Sequence, residues 1–175
     1  MEYIILGLGS NVGNKIDNIK LAIDYLTTEK IITKCEISNI YESKALLPEG
    51  APESWDINFL NLAVSGITNY EPTKLLDNIK QIEQKIGRID RGKWSPREID
   101  IDILIYGNHI IKNDKLIIPH QFLTVRPFAL IPASELAPDW KYPLKGNYYK
   151  KKLKTIVNLS KINNNIEQKK VFNLW

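Results

Sequence analysis

A single cysteine, Cys35, rules out an internal disulfide and with it a small cross-linked fold. It alternates with Ile37 in an extended-looking stretch and reads as an inert buried thiol. Histidine is nearly as scarce. His109 and His120 stand eleven positions apart with no cysteine partner, which argues against a zinc site. No apolar run approaches the roughly 18 residues of a membrane span. The start, Met1-Glu2 before the short apolar stretch Tyr3 to Leu8, has neither the basic nor the long apolar segment of a secretion signal, so a cytoplasmic protein is expected. Internal repeats and Ser/Gly linkers are also missing. With 43% hydrophobic and 25% charged residues, the 175-residue chain reads as a soluble globular domain with a sizeable core.

Several nucleotide-handling motifs fail on spacing. Gly7-Leu8-Gly9 opens like a dinucleotide fingerprint, but Val12 stands where the third glycine belongs. Gly13 is followed by Asn14-Lys15-Ile16 rather than the Gly-Lys-Ser/Thr of a phosphate loop, and no G-x-S-x-G surrounds Ser10. The aromatic strand motif of RNA-recognition domains does not occur. Charge is uneven: residues 1–140 hold 15 basic and 19 acidic side chains, whereas residues 141–175 hold 9 and 1. The tail, centred on Lys150, Lys151, Lys152 and Lys154, reads as a solvated basic extension, with nucleic-acid binding as the alternative.

What is present reads as alternating strands and helices. Residues 3–8 form a β run closed by a turn at 9–14. Ile16, Ile19, Ile23 and Leu26 predict a helix over about 14–28. Residues 31–42 read as a second strand, 44–57 as a long loop with Pro48, Gly50 and Pro52, and 58–68 as a third strand. Pro72 opens a helix that presents Leu75, Ile79, Ile82 and Ile86 and stops at Gly87. A basic loop at 88–98 feeds a fourth strand, 99–106; a tight turn leads into 110–118, and a further helix follows Pro127. The order β-α-β-β-α-β predicts an α+β fold, a ferredoxin-like antiparallel sheet with helices on one face. A C-terminal extension, 141–175, is expected to pack on or trail the 1–140 domain.

The most informative stretch runs from Arg88 to Leu104. Strand alternation turns Ile99, Ile101, Ile103 and Ile105 to one side and sets Asp100 and Asp102 together on the other. Adjacent carboxylates repel unless a cation or proton sits between them, and a hard divalent ion completed by water and phosphate suits them. A bare Asp-x-Asp reads more readily as a solvated strand edge. Here, however, Arg88, Arg91, Lys93 and Arg97 crowd the same loop, and guanidinium forks match phosphate oxygens. Trp94, in so polar a loop, reads as a lid residue held open by repulsion among these cations.

These residues resemble the 6-hydroxymethyl-7,8-dihydropterin pyrophosphokinase family of folate biosynthesis. The family signature W-G-P-R-x-x-D-[LIV]-D-[LIVM] stands as Trp94-Ser95-Pro96-Arg97-Glu98-Ile99-Asp100-Ile101-Asp102-Ile103. Gly9-Ser10-Asn11, Phe59-Leu60-Asn61, Ile82-Glu83 with Gly87-Arg88, Pro119-His120 and Arg126-Pro127-Phe128 match in order, so the resemblance spans roughly residues 3–140. It implies pyrophosphoryl transfer from ATP to the pterin hydroxymethyl group, giving AMP. Asp100 and Asp102 would hold two Mg²⁺ ions. Arg88, Arg97, His120 and Arg126 would meet phosphates, with Arg88 and Arg97 nearest the transfer. Glu83, Ile103 and Leu116 match positions around the adenosine. Phe59 and Phe128 match the pair that sandwiches the pterin, Asn61 its polar edge, and Gly9, Ser43 and Leu46 the remaining wall, with Trp94 closing over both substrates. Ser95 replaces a signature Gly or Ala, Gln121 a frequent Tyr, and Lys44-Ala45 a Pro-rich segment. ATP and the pterin are the expected partners of a monomer without membrane or nucleic acid, and the domain is fused to other folate enzymes in some organisms. The alternative, an RNA-binding module with a basic tail, leaves the acidic pair beside Arg97 unexplained.

Overall fold

Strand β1 (Glu2–Ser10) lies inside a six-stranded sheet in the computed structural model, which describes residues 1–160 and a short strand at 167–169. After it come α1 (Lys15–Thr28), β2 (Thr33–Ile37), β3 (Ile40–Ser43), β4 (Phe59–Thr68), α2 (Pro72–Ile86), β5 (Asp100–Tyr106), β6 (Ile111–Lys112), β7 (Ile117–Ile118), α3 (Pro127–Leu136), α4 (Leu153–Ser160) and β8 (Glu167–Lys169). The sheet order is β5-β1-β4-β3-β8, with β2 also on β4, and every pairing is antiparallel. The expected strand at 31–42 is two strands. At the break, Ser38 bonds Ala63 twice: its N–H donates to the Ala63 carbonyl at 3.0 Å, and its Oγ accepts from the Ala63 N–H at 2.8 Å. A side chain standing in for a backbone group interrupts the ladder there.

Helices α1 and α2 cover one face through their apolar stripes. Ile19, Ala22, Ile23 and Leu26 of α1, with Leu75, Ile79 and Ile82 of α2, bury against Ile4, Leu6, Leu8, Leu62, Val64, Ile101 and Ile103. Asn14 caps α1, its side chain accepting the Asp17 N–H. Gly87 ends α2 with φ 99°, a left-handed cap that costs a side chain-bearing residue strain, and Arg88 N–H then returns to the Glu83 carbonyl at 3.0 Å.

Two expectations about the sheet need correction. Ile105 does not share the face of Ile99, Ile101 and Ile103. The β1–β5 register pairs Leu6 with Ile103 but Ile5 with Ile105, leaving Leu104 as an extra residue. This bulge reverses the alternation, so Ile105 points to the opposite face and Tyr106 to the first. Helices, moreover, cover both faces rather than one. Ala129, Leu130 and Ala133 of α3, with Leu153 and Ile156 of α4, bury against Ile5, Ala63, Leu104 and Ile105 on the second face. The stretch read as a solvated basic tail therefore contains a packed helix through residue 160. The lysines between 141 and 154 keep to the surface, and Lys152 and Lys154 both pair with Asp139 at 2.9 Å. Among the described residues no helix is long and apolar enough to cross a membrane.

Candidate active site

The second face of the sheet changes character along its strands. Ile5 gives way to Gly7 and Gly9 on β1, Ala63 to Asn61 and Phe59 on β4, and Leu104 to Asp102 and Asp100 on β5. The apolar ends lie under α3 and α4, and the rest forms the floor of a cleft of about 660 Å³. The register sets Gly9 opposite both Asp100 and Asn61, and Gly7 opposite Asp102. A Cβ on Gly9 would stand 3.1 Å from Asn61 Oδ1 and 3.6 Å from Phe59 Cδ1, so glycine there keeps the floor open between them. Asn61 is buried and donates from Nδ2 to Ser43 Oγ at 3.0 Å.

The carboxylate pair faces the cleft as strand alternation requires, and its two members differ. Arg88 Nη1 reaches Asp100 Oδ1 at 2.6 Å, and Arg97 Nη1 reaches Asp100 Oδ2 at 2.9 Å. Burial pushes the Asp100 pKa up, but Arg97 and Arg88 outweigh it and hold the carboxyl below its ordinary range. Among the described residues, His120 is the one side chain within ion-pair distance of Asp102, its Nε2 3.9 Å away; Lys80 and Arg126 act on the carboxylate from farther off. Burial, reinforced by the charge of Asp100, pushes Asp102 above the ordinary carboxylate range. Phe122 N–H donates to His120 Nδ1 at 3.3 Å, so the neutral ring carries its proton on Nε2, toward Asp102. Burial also lowers the His120 pKa, partly offset by Asp102.

The loop arginines are paired with acids rather than left to repel one another. Arg88 bridges Asp100 and Glu83, whose Oε1 lies 2.7 Å away, and Arg91 makes a double contact with Glu98 at 2.6 and 3.2 Å. The expected repulsion among Arg88, Arg91, Lys93 and Arg97 overlooked these acids. Trp94 lines the cleft, 43% exposed, with φ 69°, a left-handed conformation rare for a bulky residue.

Of the residues singled out from sequence, Gly9, Ser43, Leu46, Phe59, Asn61, Arg88, Trp94, Arg97, Asp100, Asp102, His120, Arg126 and Phe128 all line this cleft. Glu83, Ile103 and Leu116 do not. Ile103 and Leu116 point into the core beneath α1 and α2. Glu83, 2% exposed, spends its oxygens on Arg88, on Lys80 and on the Ile101 N–H at 2.8 Å, and borders an adjoining pocket instead. Three residues escaped the sequence reading. Asn11, quoted only within the Gly9-Ser10-Asn11 motif and given no role, accepts the Arg97 N–H at 2.8 Å and donates to the Ile57 carbonyl at 3.2 Å, tying together two loops that border the cleft. Lys80 precedes Glu83 by three on α2, a spacing that could have flagged the pair. Phe122 carried no signal.

Residues 5–138 match the family model described as 7,8-dihydro-6-hydroxymethylpterin-pyrophosphokinase. The chain is 42% identical over 154 residues to the 2-amino-4-hydroxy-6-hydroxymethyldihydropteridine pyrophosphokinase of Aquifex aeolicus, covering 88% of this chain and 89% of that one. It is 40% identical over 150 residues to the folate synthesis bifunctional protein of Chlamydia muridarum, covering 85% of this chain and 33% of that protein. The chain thus spans about a third of the length of such bifunctional relatives. In fold, a wild-type HPPK-DHPS structure from Plasmodium falciparum with SDX-DHP aligns with a TM-score of 0.66 at 19% identity, over 96% of this chain and 47% of that one.

Proposed function

Because this chain belongs to the 7,8-dihydro-6-hydroxymethylpterin-pyrophosphokinase family, we propose that its cleft transfers pyrophosphate from ATP to the hydroxymethyl group of 6-hydroxymethyl-7,8-dihydropterin, a step of folate biosynthesis. The hydroxymethyl oxygen bonds to the β-phosphorus and loses its proton to solvent, the bond from that phosphorus to the α-phosphate oxygen breaks, and AMP leaves. The observation that carries this reading is the pairing, on one bare stretch of sheet, of two carboxylates flanked by guanidiniums with a glycine-floored pocket between aromatic rings. In its strand order the sheet is read as the ferredoxin-like split βαβ arrangement.

Asp100 and Asp102 fit a divalent cation: they share one face, and burial together with the Asp100 charge raises the Asp102 pKa, a cost that a bound cation would offset. Among the described residues no third acid, His or Cys completes a ligand set with them, leaving further ligands to water and phosphate. Two Mg²⁺ ions held there would neutralise charge on the β- and γ-phosphates.

The protein's own groups do the positioning. Arg88 and Arg97, tethered at Asp100, stand where the transferred group must pass, and Glu83 keeps Arg88 anchored from behind. His120 and Arg126 present donors to phosphate oxygens from the opposite wall. Phe59 and Phe128 stack the flat pterin, Asn61 reads its polar edge through an amide that both donates and accepts, and Ser43, Leu46 and Gly9 close that end. Trp94, strained and partly exposed, is the residue placed to fold over the bound substrates and exclude water. Incubation with ATP, Mg²⁺ and the hydroxymethyl dihydropterin, followed by nucleotide chromatography, tests the reading. AMP should accumulate only when the pterin is present; ADP as the product contradicts it.

A further inference from the structure

Phe122 is an aromatic ring in the cleft to which the proposed chemistry gives no task. It sits in the tight turn between His120 and Arg126, where Leu123 N–H returns to the His120 carbonyl at 2.9 Å and Arg126 N–H to the Phe122 carbonyl at 3.0 Å. Leu123 anchors this turn in the core, fully buried, whereas Phe122 keeps 36% of its surface exposed at the cleft wall. A single partly exposed apolar ring is ordinary on a protein surface; what sets Phe122 apart is the pair of groups that it touches.

The Arg126 guanidinium carbon lies 4.0 Å from the centroid of the Phe122 ring, nearer than to the rings of Trp94 at 5.7 Å or Phe128 at 5.9 Å. Among the described residues Arg126 forms no ion pair with a carboxylate: Asp102 and Asp100 act on it from beyond ion-pair distance, and ring faces are its direct contacts. A planar guanidinium resting on a ring face keeps its edge N–H groups directed outward, free for a second ligand. The same ring also meets His120 edge to face, with centroids 5.8 Å apart and planes at 62°. One side chain thus touches both groups of this wall that are suited to anionic oxygens.

We propose that Phe122 is a positioning residue: its ring is the platform that holds the Arg126 guanidinium, and braces the His120 ring, at the height where polyphosphate oxygens bind. The role rests on the polyphosphate reading of the cleft and extends it to a residue that touches no phosphate itself. A platform has a signature that plain packing lacks, because it acts through Arg126 and needs a ring rather than a particular side chain.

The test is calorimetric binding of Mg²⁺ with α,β-methylene ATP to the wild-type chain and to Phe122→Ala, Phe122→Tyr, Arg126→Ala and the Phe122→Ala/Arg126→Ala double variant. Thermal melting of each confirms that it is folded. Phe122→Ala should weaken nucleotide binding by about five- to twentyfold, the scale of a partly desolvated cation–ring contact. Pterin binding without nucleotide should stay within about twofold, and Phe122→Tyr should retain wild-type nucleotide affinity. In the Arg126→Ala background, Phe122→Ala should cost less than about twofold more, since the partner it positions is gone. Unchanged affinity in Phe122→Ala overturns the role, as does the full loss persisting without Arg126, or a loss in Phe122→Tyr equal to that in Phe122→Ala. No nucleotide binding by the folded wild-type chain would instead overturn the polyphosphate reading and the platform with it.

Discussion

Asp100 and Asp102 carry the same side chain two positions apart, yet the structure gives them opposite electrostatics. Asp100 is the counter-ion of Arg88 and Arg97; Asp102 is pushed up by burial and by Asp100 itself. Both Asp100→Asn and Asp102→Asn should cut turnover by orders of magnitude, but their stabilities should diverge. Asp102→Asn removes a repulsion and should leave the ligand-free protein as stable as wild type or more so at neutral pH. Asp100→Asn takes the carboxylate partner from Arg97 and leaves Arg88 with Glu83 alone, and should cost about 1–3 kcal/mol. Denaturant melts of the two variants side by side check this, and equal losses contradict it. Gly9 offers a second test at this scale. In Gly9→Ala the new methyl must displace Asn61 Oδ1 from 3.1 Å, so pterin KM should rise at least tenfold while the melting temperature moves by a few degrees at most. A change confined to ATP affinity would show that the pterin pocket lies elsewhere.

At the level of elements, the cleft is built from loops that depend on one another. Asn11, 2% exposed, holds the Arg97 backbone on one side and the Ile57 carbonyl on the other. Asn11→Ala removes these bonds from a site that water cannot easily refill. It should cost about 1–3 kcal/mol of stability and lower kcat more than it changes either KM, because it loosens Arg97 and the approach to Phe59 together. A variant with full activity and reduced stability would make Asn11 structural only. Much at this scale was legible in the sequence: 3.6-residue periodicity located α1 and α2, and two-residue alternation placed Asp100 and Asp102 on one face. The bulge at Leu104 was not, since Ile103-Leu104-Ile105 is uniformly apolar and nothing in it marks where alternation slips. Nor was the pairing within the 88–98 loop, where the arginines were counted without Glu83 and Glu98.

For the whole molecule, the decisive feature is a sheet face shared between core and cleft. Helices α3 and α4 cover the apolar end of β1, β4 and β5, and the uncovered end is the cleft floor. The sequence hid this because lysines dominate 141–154, and the two apolar anchors at its end, Leu153 and Ile156, are too few to show a periodicity. Both are fully buried. Ile156→Ala should therefore destabilise the protein by about 2–5 kcal/mol in denaturant titration; a loss below about 0.5 kcal/mol would restore the solvated-tail reading. The account as a whole claims that this cleft moves two phosphates at once. ATP labelled with ³²P at the β-position follows that event directly, in a reaction with Mg²⁺ and 6-hydroxymethyl-7,8-dihydropterin. The account predicts that the label leaves the nucleotide and appears on the pterin, one label per AMP formed. Label retained in ADP, or a pterin that stays unlabelled while ATP is consumed, would contradict it.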